Sequence, residues 1–375
     1  MAILSEEQTM LRDSARSWVA VRSPLTAFRK VRNSGVEQRF DPDAWREQAA
    51  LGWAGVLVPE QYGGSDFGFV AMGLILEELG RSLGASPLLA SALVAASAIV
   101  LGGDEAQKQE WLPAIAEGST IATLAYDERA VHAPETITTR ATASRSGFKL
   151  SGRKRFVVEG FAADLFIVSA RISDHPDVKQ SVELFLVRGD APGLVRHDLH
   201  TMDSRGYANL EFREVEGQRL GPGGSGWAVL EATLDRARAG IAAEMLGSAN
   251  QAFAITLEYL KTRVQFDRVI GSFQALQHRA ARMFMELELA RSSVEAALGS
   301  IESGASDVPE LVSLAKAKMG KTLQLVTNEM IQMHGGIGLT DEHDAGLFLK
   351  RARVCDALFG NQAYHRNRYA EMLGY

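Results

Sequence analysis

The spacing of hydrophobic residues divides the chain into three regions. In residues 1–118 the apolar positions recur every three or four residues, as at Leu11, Ala15 and Val19, which follow a capping-box pattern at Ser5 and Gln8. The same spacing predicts a second amphipathic helix over 70–83, and the apolar run over 88–101 indicates a buried helix. The first region is therefore predicted to be a helical domain.

From about residue 119 to residue 222 the spacing of apolar residues becomes typical of strands. Short strands are predicted over 148–151, 165–168, 182–187 and 209–212, and stretches rich in Gly, Asp and Pro separate them. Many short strands with turns between them are typical of an antiparallel β-barrel or β-sandwich. We therefore expect a β domain in the middle of the chain.

Helical spacing returns after a glycine-rich linker at 221–226. Helices are predicted over 227–261, 274–302, 310–334, 345–358 and 361–373. Long helices joined by short connections favour an antiparallel, four-helix-type bundle. The predicted fold class is thus α+β and multidomain, with an N-terminal helical domain over 1–118, a β domain over 119–222 and a helical bundle over 223–375.

Charge and cysteine content restrict the class of protein. The formal charge is -6, from 40 Lys and Arg against 46 Asp and Glu. This argues against non-specific nucleic-acid binding, which requires a basic face. A single cysteine, Cys355, excludes an intramolecular disulfide and fits a reducing cytoplasm. Residues 1–7 lack the basic start of a signal peptide, and no apolar run is long enough to span a bilayer. We expect a cytoplasmic protein without a membrane segment.

The linker itself matches a dinucleotide-binding pattern, with Gly221, Gly223 and Gly226 at the required spacing and Glu244 near the expected acidic position. That pattern binds a dinucleotide only within a tight strand–turn–helix unit that returns to a parallel strand. Here a helix of some thirty-five residues follows, and no such unit is predicted. The glycines are therefore interpreted as a linker.

Two stretches carry the clearest candidate chemistry. The first runs from Arg263 to Gln274, within a segment of helical character, and the second reads Gln332-Met333-His334-Gly335-Gly336. A guanidinium can bind a pyrophosphate in a forked geometry, and an aromatic side chain can cover a ring system. Adjacent glycines allow close approach of a phosphate or an adenine. His334 has no evident partner and is interpreted as structural.

Together with the order of the domains, these stretches resemble the acyl-CoA dehydrogenase family over essentially the whole chain. In that family both stretches contact the FAD that the neighbouring subunit holds. The resemblance implies FAD as cofactor and these FAD-binding residues: Arg263, Gln265, Phe266, Phe273, Gln274, Gln332, Gly335 and Gly336. One departure is Asp267, which stands where the family usually has Gly.

The β domain departs further from the family. Its flavin-holding segment, usually of the type Thr-Glu-Pro-x-x-Gly-Ser-Asp, is replaced here by 124–129, Leu-Ala-Tyr-Asp-Glu-Arg. The family also has a Trp-x-Thr or Trp-x-Ser near a Lys, whose hydroxyl lies close to the flavin. The corresponding residues here are Lys154, Phe156 and Val158. Phe156 is predicted to cover the flavin ring, whereas Val158 has no hydroxyl to donate.

The family's catalytic base is missing as well. Acyl-CoA dehydrogenases remove the α-proton of a thioester with a Glu, usually placed before Gly in the segment after an Arg-Asp-Ala-Arg or Arg-Asp-Ala-Lys run. Here that run reads Lys-Arg-Ala-Arg at 350–353, and the Glu position is Phe359. The alternative family position is Ala237. Glu244, about 10 Å further along the same helix face, is a weak candidate, and the catalytic residue stays unassigned. Glu342 and Asp344 are interpreted as solvated or structural. No metal site is predicted.

The stretch from Phe359 to Arg366 resembles a divergent bacterial subgroup that acts on coenzyme A thioesters, including those from fatty acid or steroid catabolism. Some of its members are α2β2 heterotetramers in which one subunit type supplies the flavin cradle and the base. The resemblance implies α,β-desaturation of an acyl-CoA, with electrons passed to an electron-transferring flavoprotein, in a homo- or hetero-oligomer with a homologous subunit. The alternatives are a flavin-dependent acyl-CoA oxidase or monooxygenase of the same fold, and a catalytically inactive scaffold subunit.

Overall fold

The computed structural model describes residues 4–145 and 147–375. Residues 1–3 of the acidic start and Ser146 lie outside the described residues. The described chain forms two compact units. One combines residues 4–30, 69–84 and 238–375, and the other combines 31–68 and 85–237. The predicted order of helices, then strands, then helices is observed. The predicted domain limits at 118 and 222 remain predictions, because the two units are each assembled from separate stretches of chain.

The N-terminal region is helical, as predicted. Ser5 Oγ accepts a hydrogen bond from Gln8 N at 3.1 Å, and Gln8 Oε1 accepts one from Ser5 N at 3.1 Å, which completes the expected capping box. The predicted buried helix is also present, and it begins with a π-helical segment over Leu89–Ala95. The helices are α1 (Glu6–Arg22), α2 (Leu25–Ser34), α3 (Pro42–Ala50), α4 (Phe69–Arg81), α5 (Ala96–Gly102) and α6 (Glu105–Ala116).

Within the described part of the β domain there are seven strands, and five of them close into a ring. Strands β4, β2, β3, β7 and β5 pair in that order, and β5 pairs back to β4, so the predicted alternatives resolve to a barrel. Most pairings are antiparallel, whereas β1 and β2 pair with β4 in parallel. A buried apolar cluster that includes Phe166, Phe185 and Phe212 fills the ring. The strands are β1 (Ala122–Ala125), β2 (Arg140–Ser144), β3 (Gly147–Val158), β4 (Leu165–Arg171), β5 (Val182–Arg188), β6 (Leu194–Asp198) and β7 (Tyr207–Arg219).

The C-terminal region is helical, and its predicted helix limits agree with the structure to within about two residues. A minimal two-stranded hairpin separates its first two helices. Helices α8, α10 and α11 each pack along α9, which is the central helix of this unit. The elements are α7 (Gly226–Thr262), β8 (Val264–Gln265), β9 (Arg268–Val269), α8 (Gln274–Ser303), α9 (Val308–His334), α10 (Ala345–Ala357) and α11 (Gln362–Met372).

Helices α4 and α7 cross at two glycines that allow backbone contact. A Cβ atom on Gly80 would lie 2.1 Å from the carbonyl oxygen of Glu244, and one on Gly247 would lie 1.8 Å from that of Glu77. Any side chain larger than hydrogen would force the helices apart. This crossing fixes α7, and therefore the position of Glu244 and of the C-terminal end of the helix.

In the described ranges no helix has the length and apolar character needed to cross a membrane.

Candidate functional site

The stretch from Arg263 to Phe273 forms a short hairpin, and the prediction that it lies in a helical segment is wrong. Helix α7 ends at Thr262, β8 and β9 pair, and Ile270 N donates to Arg263 O at 2.9 Å. The two turn residues, Phe266 and Asp267, have φ values of 55° and 60°. Two consecutive left-handed residues are typical of a tight hairpin turn, in which Gly and Asp are well tolerated. This explains why glycine suits the position of Asp267.

The hairpin presents the predicted FAD-binding side chains to solvent. Phe266 is 84% exposed, and its ring meets the half-buried Phe273 edge-on at 6.1 Å. Arg268 lies over the Phe273 ring at 4.0 Å. Arg263 forms no ion pair among the described residues and is exposed, as are Gln265 and Gln274. Exposed, uncompensated cationic and aromatic groups on a short hairpin form a surface suited to an external phosphate and ring.

The glycine motif lies at the C-terminal end of α9. Gln332, Gly335 and Gly336 are exposed, and Gly335 has a φ of 66°. A Cβ added at Gly336 would meet nothing within 4 Å, and its φ does not require glycine. Packing within this chain therefore does not explain the glycine at 336. The backbone there is open to close approach by a group from outside the chain.

Tyr259 brings the two motifs together within one unit. Its ring, one turn before the end of α7, packs against the ring of His334 with centroids 4.3 Å apart. Its hydroxyl lies 3.5 Å from His334 O. His334 is buried and donates from Nδ1 to Met330 O at 2.7 Å, so the expected structural role fits its contacts. The contact between Tyr259 and His334 thus holds the hairpin next to the turn at Gly335 and Gly336, which we call the glycine turn.

In the β domain, Phe156 occupies a strained bulge of β3. Its φ is 54°, its N–H donates to Asn209 Oδ1 at 3.1 Å, and its ring stacks on Tyr207 with centroids 4.4 Å apart. The side chain is half-buried, so one face of the ring already has an aromatic partner. Val158 supplies only its carbonyl, which accepts from Thr123 Oγ1 at 2.6 Å. That bond directs the Thr123 hydroxyl into the domain.

The segment that replaces the family's flavin cradle is closed upon itself by two carboxylates. Asp127 accepts from His132 Nδ1 at 3.0 Å and from Ala133 N at 3.2 Å. Glu128 accepts from Thr138 N at 2.7 Å and Thr139 N at 3.0 Å. We call residues 127–139 the carboxylate-closed segment. Asp127 and Glu128 thus hold their hydrogen-bond donors within the segment that the family resemblance aligns with a flavin cradle.

A buried ion pair anchors this segment to the barrel. Lys154 is fully buried, and its Nζ donates to Glu128 Oε1 at 2.8 Å, Tyr126 O at 3.1 Å and Ser169 Oγ at 3.0 Å. Burial raises the pKa of Glu128, but Lys154 and the hydrogen bonds outweigh burial and lower that pKa to about 2. Burial lowers the pKa of Lys154, and Glu128 opposes that effect. Sequence reasoning missed this pair, although a lysine inside an alternating strand was a signal for it.

Neither family position for the base carries a carboxylate. Ala237 is fully buried, and Phe359 is 3% exposed with a φ of 57°. The Phe359 carbonyl accepts from Arg238 Nε at 3.1 Å and from His365 Nε2 at 3.0 Å. These bonds fix the backbone at the point where the resemblance places a catalytic Glu.

Lys316 holds the same turn from inside the unit. Its Nζ, fully buried, donates to the carbonyls of Cys355, Asp356 and Gly360 at 2.9 to 3.0 Å, which satisfies the C-terminal end of α10. Burial lowers the pKa of Lys316 to about 8. The turn at Phe359 and Gly360 is therefore clamped by three cationic or imidazole donors.

Glu244 is engaged in a buried ion pair. Its Oε1 accepts from Arg351 Nε at 2.9 Å and from Arg351 Nη2 at 2.7 Å, and both side chains are less than a tenth exposed. Arg351 stands where the family resemblance has Asp. The carboxylate of Asp344 accepts from Arg29 Nε at 2.8 Å, and Glu342 is exposed. The geometry favours structural roles for these carboxylates, and the role of Glu244 as a base stays a prediction.

Comparison with known proteins agrees with this architecture. The chain matches the N-terminal domain of acyl-CoA dehydrogenase over residues 5–119, the middle domain over 127–218 and the C-terminal domain over 224–374. It is 30% identical over 359 residues to the acyl-CoA dehydrogenase IpdE2 of Mycobacterium tuberculosis, an alignment that covers 92% of this chain and 91% of the relative.

Two solved structures are similar over the whole chain. One is a variant of the Tcur3481–Tcur3483 steroid ACAD, with a TM-score of 0.89, 33% identity and 98% coverage of each chain. The other is the ChsE4–ChsE5 complex from Mycobacterium tuberculosis, with a TM-score of 0.90, 25% identity, and coverage of 100% of this chain and 99% of that one. Fold, domain matches and relatives agree, and the chain belongs to the acyl-CoA dehydrogenase family.

Proposed function

We propose that this chain is the subunit of an acyl-CoA dehydrogenase that contacts the FAD of a homologous partner subunit and does not hold an FAD of its own. One observation carries the proposal. The hairpin and glycine turn, which in the family reach a neighbouring subunit's cofactor, are exposed and complete. The segment corresponding to the family's own cradle is instead closed on its own carboxylates.

The fit of FAD differs between the two sets of residues. Arg263, with no acidic partner among the described residues, suits the pyrophosphate, and the open space at Gly336 suits close approach of the adenine end. In the β domain, Asp127 and Glu128 already accept hydrogen bonds from residues 132–139, and Phe156 has one face on Tyr207. We therefore assign the hairpin and the glycine turn to a cofactor held by the partner. FAD bound there would supply the hydride acceptor for oxidation of the acyl group.

The catalytic base is assigned to the partner subunit as well. A base must be an unpaired or poised group within hydrogen-bond reach of the α-proton. Ala237 and Phe359 have no such group, and Glu244 is bound twice by Arg351. Removing a proton with Glu244 would first require breaking a buried, charge-assisted pair, which costs several kcal/mol. The residues of this chain thus bind and orient, and they do not exchange a proton with substrate.

A partner subunit also accounts for the exposed apolar face of α8. Phe284, Met285 and Leu289 are 54%, 59% and 58% exposed and lie on the helix that starts directly after the hairpin. Exposed apolar residues next to a functional surface are typical of an interface. Similarity to the Tcur3481–Tcur3483 and ChsE4–ChsE5 structures, each described by two protein names, supports a heteromeric assembly.

The substrate is proposed to be an acyl-CoA thioester with a bulky acyl group of the steroid-derived kind, and the electron acceptor an electron-transferring flavoprotein. The similarity to a steroid acyl-CoA dehydrogenase supports the acyl group. The acceptor rests on family membership.

Flavin quantification tests the proposal. The chain is expressed alone and together with a homologous acyl-CoA dehydrogenase chain encoded beside it, and bound FAD is measured by absorbance near 450 nm. We expect no flavin on the chain alone. In the complex, Arg263→Ala should lower the affinity for flavin by roughly tenfold or more, since a phosphate contact is lost. Arg366→Ala, an exposed arginine of α11, is the matched control. A yellow chain that is reduced by acyl-CoA without a partner would overturn the proposal.

An inactive scaffold subunit is the second candidate, and the absence of a carboxylate at 237 and 359 favours it. It predicts that Arg263→Ala leaves the flavin content of the complex unchanged while the complex still forms. The same measurement therefore separates the two functions.

A further inference from the structure

Two imidazole rings in contact close the neck of the loop that carries the glycine turn. Helix α9 ends at His334, the chain turns over Gly335–Leu339, and it returns to α10 through His343. The rings of His334 and His343 lie 4.3 Å apart at an interplanar angle of 43°. We call this pair the imidazole clasp. Between its two members the loop exposes Leu339, which is 79% exposed.

The hydrogen bonds of the clasp fit two neutral rings. His334 Nδ1 donates to Met330 O at 2.7 Å, and its buried Nε2 has no hydrogen-bond partner among the described residues. A proton on that Nε2 would be a buried donor without an acceptor. His343 Nδ1 accepts from Ala345 N at 3.1 Å, so its proton lies on Nε2. A second proton on His343 would break the bond that begins α10.

The surroundings of the clasp do not compensate a positive charge on His334. The groups that face the pair are Tyr259 of α7, Arg29 of α2, and Asp341 and Asp344 of the returning loop. Arg29 pairs with both carboxylates and so compensates one of their two negative charges. Burial lowers the pKa of both histidines, and each is lowered further by a neighbour, His334 by His343 and His343 by Arg29, while Asp344 opposes the effect at His343.

We propose that the imidazole clasp is a pH-operated positioning device, which holds the glycine turn in place while both rings are neutral and releases it when they are protonated. Both rings are neutral above their ordinary pKa of about 6.5, so the closed neck is stable there. Below that value an open loop binds protons more readily than the closed one, so closure is lost progressively as pH falls. That the released turn then loses a partner's flavin rests on the proposed function.

Hydrogen exchange over residues 335–344 of the full-length chain tests the clasp. Protection, corrected for intrinsic exchange, is compared at pH 7.5, 6.5 and 5.5. In the native sequence we expect protection to fall below pH 6.5 by up to about tenfold per pH unit for each ring that takes up a proton on opening, and so by up to about a hundredfold for two rings. The double variant His334→Phe/His343→Phe keeps two aromatic rings in contact that do not titrate, and its protection should not change with pH.

Two further variants complete the design. His343→Asn keeps an acceptor for Ala345 N but removes the ring, so its loop should be poorly protected at every pH. His175→Asn removes an exposed histidine of the β domain and should behave like the native chain. Unchanged protection of the native loop between pH 7.5 and 5.5 would overturn the clasp, as would an equal fall in the double variant.

The flavin readout separates this proposal from the proposed function. If the loop opens with falling pH while Arg263→Ala leaves the flavin content of the complex unchanged, the imidazole clasp is supported and the proposed contact with the partner's FAD is refuted. If the loop does not respond to pH while Arg263→Ala removes flavin, the clasp alone fails.

Discussion

Replacing Glu128 by Gln tests whether the carboxylate-closed segment is held by its buried ion pair with Lys154. The substitution keeps the size of the side chain and one of its two oxygens, so it loses the hydrogen bond from either Thr138 N, which Oε2 accepts, or Thr139 N, which Oε1 accepts. It also removes the charge that faces Lys154 Nζ at 2.8 Å. Because the Glu128 side chain is only 8% exposed, solvent screens this charge little. The ammonium of Lys154 then remains buried without a counter-charge.

The magnitude follows from the pKa of Glu128. A decrease from 4.5 to about 2 in the folded state corresponds to roughly 3 kcal/mol of stabilisation near neutral pH, at about 1.4 kcal/mol per pKa unit. The folded-state pKa lies below the unfolded one, so this contribution is complete above about pH 4.5. It is lost as pH falls from 4.5 towards 2. The stability difference between the native chain and Glu128→Gln should therefore shrink over that range.

Urea unfolding of single and double variants measures the effect. Glu128→Gln and Lys154→Met should each lower the free energy of unfolding by about 3 kcal/mol. The double variant leaves no unpaired charge, so its loss should be smaller than the sum of the two single losses by about 2 kcal/mol or more. The exposed pair of Arg153 and Glu211, at 3.5 Å on the same sheet, is the matched control and should show a coupling below about 1 kcal/mol. Additive effects at Glu128 and Lys154 would refute the reasoning.

Three shorter predictions concern the helical unit. Gly247→Ala should destabilise the chain by about 2 kcal/mol or more, since its Cβ would lie 1.8 Å from a carbonyl oxygen of α4. Gly299→Ala lies on an open part of α8, with nothing within 4 Å, and should stabilise the chain by about 0.5 to 1 kcal/mol. Equal midpoints of the two variants in thermal unfolding would contradict the close crossing of α4 and α7. Asp267→Gly should raise the unfolding temperature of the chain slightly by relieving the left-handed turn, whereas a fall would show that the Asp267 side chain stabilises the hairpin. Arg351→Met should lower the free energy of unfolding by about 3 kcal/mol or more, because it leaves Glu244 without its ion-pair partner. A loss of turnover on Glu244→Gln at unchanged stability would instead identify Glu244 as a base.

Periodicity was sufficient to predict most of the helices and the class of the β domain. Helix ends follow from local signals such as the capping box at Ser5 and the glycines after α9, which act within one turn. The hairpin at 264–269 could not be read in this way, because its two-residue strands are shorter than any periodic signal. Its turn was marked only by Asp267 at a position the family usually fills with glycine, which is a clue about backbone conformation.

The sequence predicted individual residues of the site but not the contacts between them. Arg263, Gly335 and Gly336 were found by motif, and the structure places the two motifs side by side through Tyr259. The pairs that decide which groups are free for chemistry join residues far apart in sequence, such as Glu244 with Arg351. A charged residue in a sequence does not show which partner it will meet, since that depends on helix packing. The sequence therefore identified candidate residues, and tertiary contacts show that some of them, such as Glu244, are engaged in ion pairs.

The carboxylate-closed segment has a consequence for how a complex containing this chain is made. Its acidic groups find their partners within residues 127–139 and on Lys154, so this part of the barrel needs no cofactor to complete its folding. Under the proposed function, in which the partner holds the FAD, this chain folds without flavin, and flavin supply limits the maturation of the partner alone. Assembly then reports how much of the partner is loaded.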